Sequence, residues 1–531
     1  MEKVIFFVIL FIYILVGAII SKFIKNSKDF YIMGERGSTI LIVGTLAATY
    51  LSATTLMGIA GQSYAEGPLV IAALGSFGAW IGTLLAVIYI GRRMKAYGTV
   101  TMPDYFENRF NSKWVSAIAI IIMIVGLIGY GVVQFIGAGL ILSEILNIPF
   151  PIVILLFTLA LLVFSAFGGM FGVVVTDTLM FFTMLAIAII IAPMIIGQAG
   201  LENMKNLSDV IPGYWTISGG EGRSIGWSIS QFLVWVLFFT CMPALVSRVF
   251  PAKNDFVILK TAIIGVFFAP LMQLMVFLAA GGMQVLQPGV SDSDNAMVIG
   301  ILDYTPSAIA GLGLAGLMAS ILSTASTLFV LVGFSLSRDL YERLFDKKVT
   351  EKASVRNGRI AQVVVAVGVG IIAVSRPEAV YFISIYAGSF FAVGWLPTIV
   401  ASFEWKRMNS QAALASMIIG TGSFILFGEL DRAGWLTLPE QIDELMIALF
   451  FSVASLLITA LITRPSKQEL DYFTFMKKTS MSNITIEETL KKPNPLKIFK
   501  KQQRLIITYA VITIAVSILV WGFFFVKLGI L

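Results

Sequence analysis

The sequence predicts an all-α polytopic membrane protein, and three observations carry that prediction. Of 531 residues, 58% are hydrophobic and only 13% charged, whereas soluble domains hold about 45–50% apolar and about 25% charged residues. Runs such as Ile118 to Ile128 and Leu185 to Ile196 are continuously apolar, which rules out a closed barrel, whose strands alternate polar and apolar residues. Fourteen segments reach the length of about 20 mostly apolar residues that a spanning helix needs. Histidine is absent and Cys241 is the single cysteine. The commonest proton relay and transition-metal ligand, intramolecular disulfides and Cys-rich metal sites are thereby excluded together, and Cys241 reads as a small apolar helix residue.

The first segment, 4–24, ends in a basic flank without a small-residue cleavage site, so it is expected to be a retained span rather than a signal peptide. The second, 39–62, interleaves Thr49, Ser52, Thr54 and Thr55 in an apolar helix, followed by Gly58 and Gly61. The third, 68–91, is apolar between Ala72 and Gly82 apart from Ser76, and the fourth, 114–141, carries Gln134. The fifth and sixth, 150–167 and 170–198, meet at Gly168-Gly169, and the sixth holds Asp177. The seventh, 225–247, has Pro243 in mid-run, which removes a helical hydrogen bond. An eighth at 261–286 and a ninth at 307–335 follow, then 358–376, 378–401, 410–429, 441–463 and 505–527.

The net charge of +7 is explained by topology. With the N-terminus outside, the inner loops hold 31 of the 37 Lys and Arg, and the outer segments only Lys3, Lys205, Arg223, Arg376, Arg432 and Lys527. Since Lys and Arg accumulate in cytoplasmic loops, both termini are expected to be extracellular. The longest loop, 465–504, is polar and Lys-rich and too short to be a soluble domain, and no GxxxxGK[ST] motif occurs. A lipid bilayer is the expected partner. No nucleic acid, obligatory protein partner or organic cofactor is expected.

Secondary transport, channel conduction and intramembrane catalysis remain. A hydrolase without histidine needs an Asp pair or a Ser/Lys dyad, and Asp177 has no second acid in the neighbouring spans. A channel needs a continuous hydrophilic pore, against which the scarcity of charge in the spans weighs. For transport, two features count. The second and seventh spans are both disrupted and lie five spans apart, the spacing that two inverted five-helix repeats require; two ordinary kinks would look the same. In the ninth span Ser320, Ser323, Thr324 and Thr327 fall at i, i+3, i+4 and i+7, so four hydroxyls share one stripe beside Ser326. Such a stripe fits either Na⁺, which takes neutral oxygens, or close helix packing. Asp177, an intramembrane carboxylate, is functional by default unless it reaches the inner water layer. Polar contacts to a solute are expected from Thr54, Thr55, Gln134, Thr240 and Tyr386, with Phe238 and Phe239 facing either solute or lipid.

LAATYLSATTLMGIAGQSYAEG at 46–67, VQFIGAGLIL at 133–142, SAFGGMFGVVVTDTLMFF at 165–182 and AGLMASILSTASTLFVLVGFSLSRDLYERL at 315–344 resemble the sodium/solute symporter family, as do YIMGERGS at 31–38 and TMPDYFENRF at 101–110. The resemblance runs over about residues 1–465 and looks closest to the pantothenate-carrier branch. It implies a ten-helix inverted-repeat (5+5) core at 39–401, one helix before it and three after it. It also implies a sodium site made by the backbone carbonyls of Ala48, Leu51 and Ser320 with the hydroxyls of Ser323 and Thr324. In some members, residues matching Asp177, Ser326 and Thr327 form an additional sodium site. Proline carriers have an aspartate where Tyr50 stands and sugar carriers a glutamine where Thr55 stands, so neither pocket carries over. The expectation is a sodium-coupled symporter of a small organic solute in the cytoplasmic membrane, with Na⁺ the only metal. Its rivals are a channel and a proton-coupled carrier.

Overall fold

The computed structural model describes residues 1–24, 27–71, 75–344, 349–375, 379–439 and 441–528. Among them ten helices are long and apolar enough to cross a bilayer, or twelve if each of two bent pairs is one span. The other two expected spans, 68–91 and 150–167, are also helical. Segment 68–91 is helical on both sides of residues 72–74, which lie outside the described ones, as Pro68–Ile71, Phe77–Leu85 and a wider turn over Ala86–Gly91. The fifth is part of the helix Phe150–Ala186, which runs without interruption from Phe150 to a kink at Gly169. Between the fifth and sixth spans the chain breaks at Gly169, with φ 46°, where a side chain would collide with the Phe30 ring. Only glycine combines that backbone with no bulk.

Both disruptions anticipated from the sequence are real. The second span is two helices, Thr39–Tyr50 and Thr54–Glu66, bent by 52°, and the seventh is Ile225–Cys241 and Pro243–Val249, bent by 48°. Thr39–Tyr50 packs between the sixth, eighth and ninth spans. The ninth span is buried along its whole apolar window and the last along none of it. The first span lies on the sixth and ninth, the twelfth and thirteenth pair with each other beside the eleventh, and the last lies on the eighth.

Within the polar, Lys-rich 465–504 region the chain forms two short helices. It folds as Lys467–Lys478, started by a capping box between Ser466 and Glu469, then Met481–Leu490, capped by Ser480. The last helix begins at Pro495, ten residues before the expected 505, with proline at its first position. Arg109, buried, donates to the backbone carbonyls of Ser402, Met408 and Glu469, which seats this region against the bundle.

Candidate functional site

The break in the second span reroutes its backbone hydrogen bonds. In a continuous helix the amides of Ser52 and Thr55 would reach the carbonyls of Ala48 and Leu51. Instead Ser52 donates to the Tyr50 carbonyl at 3.1 Å and Thr55 to that of Ser52 at 3.0 Å. The turn is fixed by Leu51, at φ −84°, ψ 74°, and the Ala53 amide donates to the side-chain oxygen of Gln134 at 3.3 Å. Gln134 thus serves the break directly, as a cap on its second half. The carbonyls of Ala48 and Leu51 are left without their helical donors inside the protein, where an unmet carbonyl is costly.

Across from this break runs the hydroxyl stripe, and the five ninth-span residues at issue are fully buried. Ser320 donates back to the Leu317 carbonyl at 2.7 Å, while Ser326 and Thr327 both donate to the Ser323 carbonyl, at 3.0 and 2.8 Å. Among the described residues, the hydroxyls of Ser323 and Thr324 have no hydrogen-bond partner of good geometry. Mere packing serine and threonine in a helix satisfy themselves on the preceding turn, as their neighbours do here. The two elements are adjacent, because one guanidinium reaches both: Arg248 donates to Thr49 at 2.7 Å and to Thr327.

Arg248 also organises Asp177. The two groups are fully buried and 3.0 Å apart, and Thr45 donates to the same carboxylate oxygen at 2.6 Å. Asp177 is therefore sealed from the inner water layer. Its other oxygen, Oδ1, makes no hydrogen bond of good geometry among the described residues, and the Ser323 hydroxyl lies close to the carboxylate. Of the three residues expected to form an additional sodium site, Asp177 and Thr327 meet a resident cation, the Arg248 guanidinium, which sequence patterning gave no reason to place there, whereas Ser326 bonds back to the Ser323 carbonyl.

Beside the break is a neutral polar cluster. Thr54 pairs with Ser384 at 2.7 Å and donates to the Tyr130 hydroxyl at 3.2 Å, which also meets Ser52 at 2.9 Å. Gln273 accepts from Tyr50 at 3.1 Å and from Trp80 at 2.7 Å. Phe238 and Phe239 are buried; Phe238 packs on Tyr130 and Phe239 on Tyr50, so neither faces lipid. Of the five residues expected to meet a solute, Thr54 and Gln134 join this cluster. Thr55 and Thr240 bond back to their own chain, at the carbonyls of Tyr50 and Val236. Tyr386 lies elsewhere, packed on Phe390 and Phe424 with Arg432 over its ring. Two residues earlier in the eleventh span, Ser384 is the residue that meets Thr54.

Ion pairs close the bundle on either side of this layer. At the far ends of the broken spans Arg223 grips Glu66 through two 3.2 Å bonds. On the basic-loop side, beyond Arg248, is a cavity of about 460 Å³ lined by residues including Tyr31, Lys95, Phe250 and Arg338. Burial pushes the Glu35 carboxyl there up, but Lys28 and Lys95 outweigh it and hold the group below its ordinary value.

Residues 30–420 match the Sodium:solute symporter family profile. The sodium/pantothenate symporter of Haemophilus influenzae is 25% identical over 444 residues, covering 80% of this chain and 90% of that protein. The osmoregulated proline transporter OpuE of Bacillus subtilis is 25% identical over 479 residues, 86% of this chain and 94% of its own. A solved structure of a substrate-bound, outward-open Na⁺-coupled sialic acid symporter has a TM-score of 0.70 at 19% identity over 88% of this chain and 99% of that one, a likeness of fold.

Proposed function

The chain belongs to the sodium:solute symporter family, a family of membrane transporters, and we propose that it imports a small organic solute by alternating access, driven by inward Na⁺ movement. The coupling ion sits between the carbonyls of Ala48, Leu51 and Ser320 and the hydroxyls of Ser323 and Thr324. One observation carries this reading: the helix whose Ala48 and Leu51 carbonyls lack their helical donors packs on the helix whose buried Ser323 and Thr324 hydroxyls have no partner of good geometry among the described residues. A hard cation takes such neutral oxygens, and no proton equilibrium intervenes.

The solute lies against the neutral cluster of Thr54, Tyr130, Ser384 and Gln134, so its polar groups are read by hydroxyl and amide contacts. Its class, whether carboxylate, amino acid or sugar, is found by thermal-shift screening with and without Na⁺; a hit stabilises more in Na⁺ than in K⁺. Tyr130→Phe removes the hydroxyl shared by Ser52 and Thr54 and should raise the solute KM about two- to tenfold, the worth of a hydrogen bond at about 0.5–1.5 kcal/mol. An unchanged KM would place the solute elsewhere.

Both termini are proposed to be extracellular. With Cys241 buried, a cysteine introduced at Ser291 should react with an impermeant maleimide from outside intact cells, and one at Lys492 only after permeabilisation. Reversed labelling would invert the transporter.

A further inference from the structure

We propose that a groove along the third span holds one anionic phospholipid of the leaflet that faces the basic loops, clamped by its headgroup. Two cavities make up this site. One, of about 420 Å³, is bounded by Phe77, Trp80 and Ile81 of the third span, Pro270 of the eighth, and Ile518 and Trp521 of the last helix. It is almost wholly apolar. The other, of about 610 Å³, lies where the third span emerges among Arg92, Arg93, Lys477 and Ser482. Leu84 lines both, and Leu84 and Leu85 are 40% and 37% exposed on the flank of the span. The two therefore follow one another along the flank of the third span, with Leu84 between them, the first almost wholly apolar and the second apolar-walled but edged by cations.

The length of this flank fits a leaflet. Phe77 to Arg92 is fifteen residues of helix, about 22 Å at about 1.5 Å per residue, and half of a bilayer with its headgroups is about 20–22 Å. A soluble anion could use only the cation-edged end. At that end three cations face two carboxylates. Arg92 is bonded to Asp255 at 2.6 and 2.7 Å, with Ser482 donating to the same acid at 3.0 Å. Arg93 and Lys477 share Glu404, and Arg93 stacks on Tyr89 with its centre 4.3 Å from the ring. Asp255 is buried behind Arg92, whereas Arg93 and Lys477 remain 36% and 48% exposed. The helix Met481–Leu490 starts here, so its first amides, which no helix satisfies internally, add to the positive side. The surrounding stretch 464–504 carries ten Lys and Arg against four Asp and Glu. The excess positive charge, beside a chain-length apolar slot, selects a phosphodiester headgroup without a compensating cation.

Native mass spectrometry on the full-length protein tests this, titrating phosphatidylglycerol, phosphatidylcholine of the same acyl chains, and glycerol 3-phosphate. One phosphatidylglycerol should be retained with at least tenfold preference over phosphatidylcholine, and glycerol 3-phosphate should not displace it. Lys477→Gln should reduce that preference severalfold, and Leu84→Trp, which blocks the junction, should abolish retention. The pair Lys491→Gln and Lys492→Gln, on the same basic stretch but outside the groove, should leave it intact. Equal retention of both lipids, displacement by glycerol 3-phosphate, or an equal loss in the Lys491/Lys492 variant would each overturn the proposal. Lys477 is at the surface, so Lys477→Gln remains informative if Leu84→Trp does not fold.

Discussion

Alanine at both Ser323 and Thr324 should raise the Na⁺ concentration for half-saturation at least tenfold, about 1.4 kcal/mol of binding free energy, measured by equilibrium binding of radioactive Na⁺ to purified protein. Two of the five proposed ligands disappear, and nothing in the fold replaces them. The same variant should be no less stable in Na⁺-free buffer. Its lost hydroxyls make no internal hydrogen bond, so their removal relieves a desolvation cost of about 1–3 kcal/mol each instead of breaking a bond. This combination separates a binding site from packing: a packing stripe would lose stability and keep its Na⁺ response. Unchanged Na⁺ affinity would refute the site.

Asp177→Asn should destabilise the protein by about 3–5 kcal/mol, the usual result of leaving one member of a buried ion pair unpaired. The sealed guanidinium of Arg248 would then keep only Thr49, Thr327 and the Met170 sulfur. Arg248→Gln probes the other side. It frees the Asp177 carboxylate on the side of Thr327, where we propose that a second Na⁺ binds when the guanidinium withdraws, with Ser326 as its further hydroxyl. Attraction between charges is stronger in such a poorly hydrated place than in water. Na⁺ should therefore recover thermal stability in Arg248→Gln far better than K⁺ at equal ionic strength, and the double variant Asp177→Asn/Arg248→Gln should show no such discrimination. For solute uptake, a second site predicts a wild-type Hill coefficient near two that falls towards one in Asp177→Asn. Equal recovery by both cations, with a wild-type coefficient of one, would leave Asp177 a structural partner of Arg248 and the first site intact.

The fold class and both helix breaks were legible because they rest on local signals: long apolar runs, a proline in mid-span, and serine and threonine crowded where a helix would normally carry leucine. The hydroxyl stripe was legible for the same reason, since its four members lie on one helix at helical spacing. Partnerships between distant helices were not. Nothing in the seventh span marks Arg248 as the partner of Asp177, because it reads as the first base of a cytoplasmic loop; burial and the 48° bend bring it inward. Ser384 and Tyr386 are two residues apart and chemically alike, so composition could not choose between them, whereas helical phase does: one meets Thr54 and the other Phe424. Gln273, in the eighth span, gave no sign of meeting Tyr50 and Trp80, since its partners lie 223 and 193 residues away. The helices of 465–504 were not read from the sequence, although the first carries a local signal, the Ser466 to Glu469 capping box, that a Lys-rich composition concealed.

The central claim, that inward Na⁺ movement drives solute uptake, is tested most directly in proteoliposomes loaded with K⁺ buffer and given a solute identified by the thermal-shift screen. One Na⁺ moving inward down about 100 mV contributes about 2.3 kcal/mol before any concentration gradient is added, enough for about fiftyfold accumulation. Transient accumulation above the outside concentration should appear with an inward Na⁺ gradient, grow with an inside-negative potential, and vanish when K⁺ replaces Na⁺. Accumulation driven equally well by a proton gradient without Na⁺, or mere equilibration whatever the gradient, would contradict the account.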